Sequence, residues 1–184
     1  MNTIFVALVP QSSLLQKLSR IKESFAETYG ARHALKLPPH LTLIPPFKIK
    51  KENVPALLSN LHQTVAKTEN FDLDLNGFDA FAPRVIFIKV ENSNPVMRLY
   101  DHIYTLAGDL LPTKPERQLH PHITIATRDL CVQAFNKSFP VLKKKEFRAT
   151  FPVHSIFLFS HSGRNWEILA EIPFKGNTTS TVLS

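Results

Sequence analysis

Apolar residues recur along this chain with two different spacings, which predict strands and helices in alternation. The run Ile4 to Val9 is almost wholly apolar, as a buried strand is, whereas Val54 to Val65 carries its apolar residues at helical spacing. The first half of the chain predicts the order strand, helix, strand, helix, strand, strand, and the second half repeats much of that order. This pattern predicts an α+β fold of two pseudo-symmetric lobes, each a mostly antiparallel sheet covered by helices, with a central cleft between them.

Turn-forming and capping residues predict the limits of these elements. Ser12 or Ser13 is expected to cap the first helix and Gly30 to end it, because hydroxyls accept from free backbone N–H groups and glycine tolerates positive φ. Pro45 and Pro46 are expected to end the second strand. The predicted strands cover 4–9, 40–44, 71–76, 84–90, 120–126, 147–151, 153–160 and 166–174. Further helices are predicted at 54–65, at 94–110 with Asn94 as cap, and after Asp129 as cap.

The pattern places all 184 residues in a single bilobal domain, with repeat units of about 3–90 and 85–174 and a flexible tail at 176–184. No apolar run approaches the roughly 18 residues that a membrane span needs, so no membrane partner is expected. A single cysteine, Cys131, and an N-terminus without a basic, cleavable leader favour the reducing cytoplasm. We expect a monomer.

Positive charge predominates, with 22 Lys and Arg against 15 Asp and Glu and a formal net charge of +7. This balance favours a polyanionic partner, of which nucleic acid is the first candidate. The chain has only five glycines and lacks both Gly-x-x-x-x-Gly-Lys and Gly-x-Ser-x-Gly. A phosphate-binding glycine loop and a serine nucleophile therefore find little support.

Three His-x-Thr triplets occur, against roughly 0.6 expected by chance. Those that pair His40 with Thr42 and His122 with Thr124 lie in predicted strands, where alternate side chains share a face. The third, His62 to Thr64, lies in a predicted helix, where positions i and i+2 point about 200° apart. We therefore expect only the first two triplets to form a site.

An imidazole beside a hydroxyl, presented twice, suits chemistry at one phosphodiester. His40 and His122 would be the catalytic proton-transfer groups, since imidazole titrates at a pH of about 6.5 and serves as acid or base. Thr42 and Thr124 would bind the substrate by stabilising charge on its phosphoryl oxygens. Which histidine is the acid stays open. The other histidines outside these strands, His33, His62, His102, His154 and His161, are expected to have no catalytic role.

Both motif segments, 38–43 and 120–126, resemble the 2H phosphoesterase superfamily, which is named for two His-x-Thr/Ser-x motifs in duplicated lobes. The likeness is greatest to its branch of 2'-5' RNA ligase-like proteins and RNA 2',3'-cyclic phosphodiesterases. It implies metal-independent chemistry, without a cofactor, on a 2',3'-cyclic phosphate or a 2'-5' linkage at an RNA or nucleotide end. Arg128 stands one place later than the commonest position of a family arginine, and is expected to contact substrate.

Alternatives remain beside this interpretation. His120 and His122 share a strand face, as two metal ligands would, although no cysteine cluster or carboxylate motif supports them. We favour a role for His120 in orienting the strand or contacting substrate. A 2'-5' RNA ligase would use the same residues, and a non-catalytic RNA-binding protein would hold a phosphorylated end in the same cleft, using the basic surface and some of the 14 Phe for stacking.

Overall fold

The computed structural model describes residues 1–175, so the expected tail at 176–184 lies outside the described residues. Within these described residues, four α-helices and eight strands give an α+β fold, as the sequence predicts. The helices are Ser12–Tyr29 (α1), Val54–Val65 (α2), Asn94–Ala107 (α3) and Val132–Lys143 (α4). The strands are Asn2–Leu8 (β1), Leu41–Ile49 (β2), Phe71–Phe81 (β3), Val85–Val90 (β4), His122–Ala126 (β5), Arg148–Val153 (β6), Ser155–His161 (β7) and Trp166–Pro173 (β8). Short 3-10 helices lie at His33–Lys36, Lys51–Asn53 and Gly108–Leu110.

All eight strands form one antiparallel sheet in the order β6-β3-β4-β5-β2-β1-β7-β8. The two motif strands, β2 and β5, are neighbours at its centre and are joined at the single registered pair Leu41 and Ile123. Four strands lie on each side of this junction, and each half draws strands from distant parts of the chain. The two motifs therefore meet where the halves join, while the repeat boundaries stay a prediction.

The motif strands bury their apolar residues and leave the opposite face polar. Leu41, Leu43, Ile123 and Ile125 are fully buried in the main core, whereas the four motif histidines and threonines are half-buried. Burying an aliphatic side chain of this size contributes about 1.5–3 kcal/mol. A slip of one residue would reverse the two faces, so core packing also fixes which side chains reach the cleft.

Two strands continue past residues that were expected to end them. Pro45 and Pro46 lie inside β2 as exposed residues, at a register shift where Ile4 pairs with Phe47 and Val6 with Ile44. A bulge needs no regular ladder donor, so prolines without an N–H are tolerated there. Strand β3 likewise runs through Gly77, which has φ +67° at a second register shift.

Three predicted helix caps are wrong. Helix α1 starts at Ser12 itself, after Gln11, and α3 starts at Asn94, after Ser93, with no capping side-chain bond in either. Helix α4 follows Cys131, because the carboxylate of Asp129 is engaged elsewhere. The expected end of α1 is confirmed: Gly30 is left-handed, and its N–H donates to the carbonyl of Ala26. Within residues 1–175 no helix has the length and apolar character of a membrane span.

Candidate active site

The two motif histidines have the same backbone anchor. Nδ1 of His40 lies 2.8 Å from the carbonyl oxygen of Pro38, and Nδ1 of His122 lies 2.6 Å from that of His120. A carbonyl only accepts, so Nδ1 carries the hydrogen in each neutral ring and Nε2 keeps its lone pair. Both imidazoles therefore present the same nitrogen for proton transfer.

Aromatic rings hold each imidazole on its own side of the junction. The His40 ring centroid lies 5.4 Å from that of Phe5 and 6.3 Å from that of Phe159. The His122 ring lies 5.2 Å from Phe81 and 4.9 Å from Phe87. Such contacts fix ring orientation and keep water away from much of each imidazole surface.

This burial lowers the basicity of both rings. It lowers the pKa of His40 to about 4, against the raising effect of the Pro38 carbonyl, and the charges of Lys22 and His122 lower it further. Burial also lowers the pKa of His122, again opposed by its carbonyl anchor and assisted by the charge of His120. Both imidazoles are therefore mainly neutral at a pH of about 7 without ligand.

A cleft of about 700 Å³ opens beside this pair. His40, Thr42 and Thr124 line it, so both threonines and one histidine face a common space. His122 is not among the lining residues, although its charge contributes to the lowered pKa of His40. The four motif residues lie at or next to the paired strands β2 and β5, and their catalytic and binding roles stay predictions.

Within the described part of the chain, the Lys and Arg residues that line the cleft are not balanced by acidic ones. None of its lining residues there is Asp or Glu, whereas the following cations contribute: Lys22, Lys36, Arg128 and Arg164. His33, His161 and Trp166 also line it. This composition suits an anionic ligand with a flat apolar part.

Sequence reasoning missed most of these lining residues, because they come from α1, the first 3-10 helix and the β7–β8 turn and belong to no motif. The position of Lys22 in the sequence was nevertheless informative. It lies between Leu18 and Phe25 on the apolar face of a predicted amphipathic helix, where a lysine is uncommon.

His120 and Arg128 occupy different positions from the four motif residues. His120 is exposed, packs edge-on against Phe81 at 5.2 Å, and supplies the carbonyl that anchors His122. It is not among the cleft-lining residues, whereas Arg128 is. Arg128 has φ +59°, a left-handed conformation that costs a non-glycine residue free energy.

Asp129 connects the loop after β5 to the segment before β2. Its Oδ2 accepts hydrogen bonds from the backbone N–H groups of Arg32 and His33, each at 2.8 Å. These donors open the 3-10 helix at His33–Lys36. The contact holds the strained Arg128 against a segment that also lines the cleft.

Metal-ligand geometry was the competing interpretation of the His120 and His122 pair. Their ring centroids are 6.1 Å apart, and Nδ1 of His122 is engaged by the His120 carbonyl. Within residues 1–175, no group of three or more His, Cys, Asp or Glu side chains could hold a metal ion.

A family model described as the 2'-5' RNA ligase superfamily matches residues 10–165, which include both motif strands and most of the cleft. The chain belongs to the 2'-5' RNA ligase superfamily. This membership confirms the resemblance to the 2H phosphoesterases that the motif strands indicate.

One curated relative and two solved structures are similar to this chain. A Bacillus licheniformis protein that carries the name phosphoesterase is 31% identical over 115 residues, 61% of this chain but only 66% of that relative. A crystal structure of a Thermus thermophilus protein has a TM-score of 0.66 at 19% identity, covering 96% of this chain and 100% of the other. Escherichia coli LigT complexed with NADP+ has a TM-score of 0.67 at 17% identity, covering 95% and 98%. At these identities the two structures support the fold alone.

Proposed function

We propose that this protein is a phosphodiesterase that hydrolyses a 2',3'-cyclic phosphate, or a 2'-5' phosphodiester, at an RNA or nucleotide end. The observation that carries the proposal is the pair of identically anchored imidazoles, His40 and His122, beside a cationic cleft lined by two threonines. Two proton-transfer groups and two hydroxyl donors are the complement that displacement at phosphorus requires.

The electrostatics favour His40 as the base. Its pKa of about 4 leaves Nε2 unprotonated, ready to take a proton from the attacking water. The water oxygen bonds to phosphorus as one bond from phosphorus to a ribose oxygen breaks, and Nε2 of His122 donates a proton to that oxygen. An anionic phosphate raises the pKa of a neighbouring imidazole, so substrate binding itself favours the protonated form of His122.

Substrate binding would use the hydroxyls and the cations of the cleft. Thr42 and Thr124 would donate to the non-bridging oxygens, where negative charge develops, and Arg128 would offset the charge of the phosphate. A volume of about 700 Å³ is in the range of pockets that enclose a small organic ligand. E. coli LigT has been crystallised in complex with 3'-AMP, ATP and phosphate, which supports a nucleotide phosphate as ligand for this cleft.

Two other functions use the same cleft. In a 2'-5' RNA ligase, a ribose hydroxyl would replace water as nucleophile, and a non-catalytic RNA-end-binding protein would only grip the phosphate. Hydrolysis is favoured over ligation because water is always available, whereas ligation needs a second polynucleotide docked in the correct orientation. Catalysis is favoured over binding alone because a protein that only binds phosphate does not require two proton-transfer groups.

The test is turnover of defined RNA ends. The parent protein, His40→Ala and His122→Ala are incubated with RNA that ends in a 2',3'-cyclic phosphate and, separately, with a 2'-5' linked oligonucleotide. Loss of one proton-transfer group should lower the rate by roughly 10² to 10⁴. The matched control is His62→Ala, which removes the exposed histidine of the helical His-x-Thr triplet and should leave turnover unchanged.

The outcomes separate the candidate functions. Equal turnover by the parent and both motif variants would contradict the catalytic assignment. Tight binding of the cyclic end without turnover by the parent would favour the RNA-binding alternative. Joining of two RNA ends through a 2'-5' bond, faster than hydrolysis, would favour the ligase.

A further inference from the structure

Lys22 is the only charged side chain among the buried residues of the described chain. It is 3% exposed and lies on the face of α1 that also buries Leu18 and Phe25. Removing an ammonium from water is costly, and here burial lowers the pKa of Lys22 to about 8. A lysine in this position therefore calls for a function beyond packing.

The ammonium of Lys22 has a backbone partner and no carboxylate partner. Its Nζ donates a 2.7 Å hydrogen bond to the carbonyl oxygen of Leu37, and neither ion pair found within residues 1–175 includes it. The acceptor belongs to the segment that leads into the first motif strand. Lys22 therefore ties α1 directly to the chain just before His40.

That segment has few donors of its own. Pro38 and Pro39 follow Leu37, and proline has no backbone N–H. The carbonyl of Pro38 nevertheless has to be held still, because it anchors Nδ1 of His40. The Lys22 bond to the preceding carbonyl fixes this segment from outside, one residue before the anchor.

We propose that Lys22 is a positioning residue for His40: it fixes the Leu37-Pro38 segment that anchors the imidazole and places a buried positive charge beside it. The inference rests on the proposed function insofar as His40 is taken to be the base. The hydrogen bond then keeps the ring in one orientation, while the positive charge lowers the pKa of His40 against the raising effect of the Pro38 carbonyl.

Lys22 acts among several other charged groups around His40. The charge of His122 on β5 also lowers the pKa of His40. The other ionisable groups that line the same cleft are His33 and Lys36 of the first 3-10 helix, Arg128 of the loop after β5, and His161 and Arg164 of the β7–β8 turn. Glu23 lines a smaller pocket together with Lys22 but is exposed. Unlike all of these groups, Lys22 is buried.

The experiment follows the His40 imidazole by NMR pH titration in the parent protein, Lys22→Met and Lys22→Arg. Methionine has similar length without charge and suits a buried site, so Lys22→Met should fold, which thermal unfolding checks. Loss of the neighbouring charge should move the His40 titration to higher pH, while arginine should retain most of the parent behaviour. Arg20→Met removes a cation from the exposed face of the same helix and serves as control.

A second readout is the pH dependence of kcat/KM on an RNA 2',3'-cyclic phosphate, whose acidic limb should move with the His40 titration in Lys22→Met and stay in place in Arg20→Met. An unchanged His40 titration in Lys22→Met, or an equal change in Arg20→Met, would overturn the proposal. The titration needs no turnover. Absence of activity in the parent would therefore count against the proposed function, while the role of Lys22 would still be decided by the NMR data.

Discussion

At the scale of single residues, His40 and His122 share an anchor but have different surroundings. Both donate from Nδ1 to a carbonyl two residues earlier, yet His40 has a buried lysine beside it and His122 has the exposed His120. The anchors of the two rings are equivalent, whereas burial, which lowers both pKa values most, and the neighbouring charges separate their proton affinities. Separated affinities are what distinguish an acid from a base in a two-residue mechanism.

This separation predicts an acid-shifted pH profile for the free enzyme. The value of kcat/KM should rise as His40 loses its proton at a pH of about 4 and fall as His122 loses its proton below the ordinary histidine value of roughly 6.5. Initial rates on a 2',3'-cyclic mononucleotide measure this bell-shaped pH profile, and its maximum should lie below a pH of about 6.5. A maximum above a pH of roughly 7 in both the parent and His62→Ala would contradict the assignment.

At the scale of elements, alternation along the motif strands was enough to predict which residues lie on the buried face and which lie on the opposite, polar face. Leu41 and Ile123 are buried and paired with each other, while His40 and His122 remain on the opposite face. Strand limits were less predictable, because bulges accommodate Pro45 and Pro46 within β2. A bulge depends on the partner strand, which local sequence does not reveal.

The two glycines at helix ends give a matched prediction about stability. Gly30 has φ +79° and Gly108 has φ −54°, and a Cβ at either position would meet no atom within 4 Å. Gly30→Ala should therefore lower the free energy of unfolding by about 1–2 kcal/mol through backbone strain alone. Gly108→Ala should leave it unchanged or raise it by up to about 1 kcal/mol. Urea unfolding measures both, and equal effects of the two substitutions would contradict this account.

At the scale of the whole molecule, the site combines what the sequence could predict with what only topology supplies. His40, Thr42, His122 and Thr124 carry a repeated local pattern, so the sequence alone was enough to select them. Lys36, Arg164 and Trp166 carry no such pattern. Arg164 and Trp166 line the same cleft because the sheet places β7 and β8 in the same half as β2, although these strands are far apart in the chain, and Lys36 lines it from the 3-10 helix that precedes β2.

The charge of the whole chain predicts how salt affects activity. A net charge of +7 and a cleft lined by cations should attract a polyanion more strongly than a small anion. Raising NaCl from about 50 to 200 mM should lower kcat/KM for a cyclic-ended RNA oligonucleotide several-fold, and much less for a cyclic mononucleotide. The same salt dependence for both substrates would show that RNA beyond the terminal nucleotide is not bound electrostatically.

The shared carbonyl anchors of His40 and His122 also have a consequence for the state of the site after one turnover. A base that has accepted a proton and an acid that has lost one have exchanged protonation states. After each reaction His40 is therefore protonated and His122 is neutral, which is the reverse of the starting condition. Nothing in the anchoring favours one of these two states, because each Nδ1 keeps its hydrogen bond in both. By microscopic reversibility, the inverted site is ready for the reverse displacement, and proton exchange with solvent has to reset it before it can act forward again.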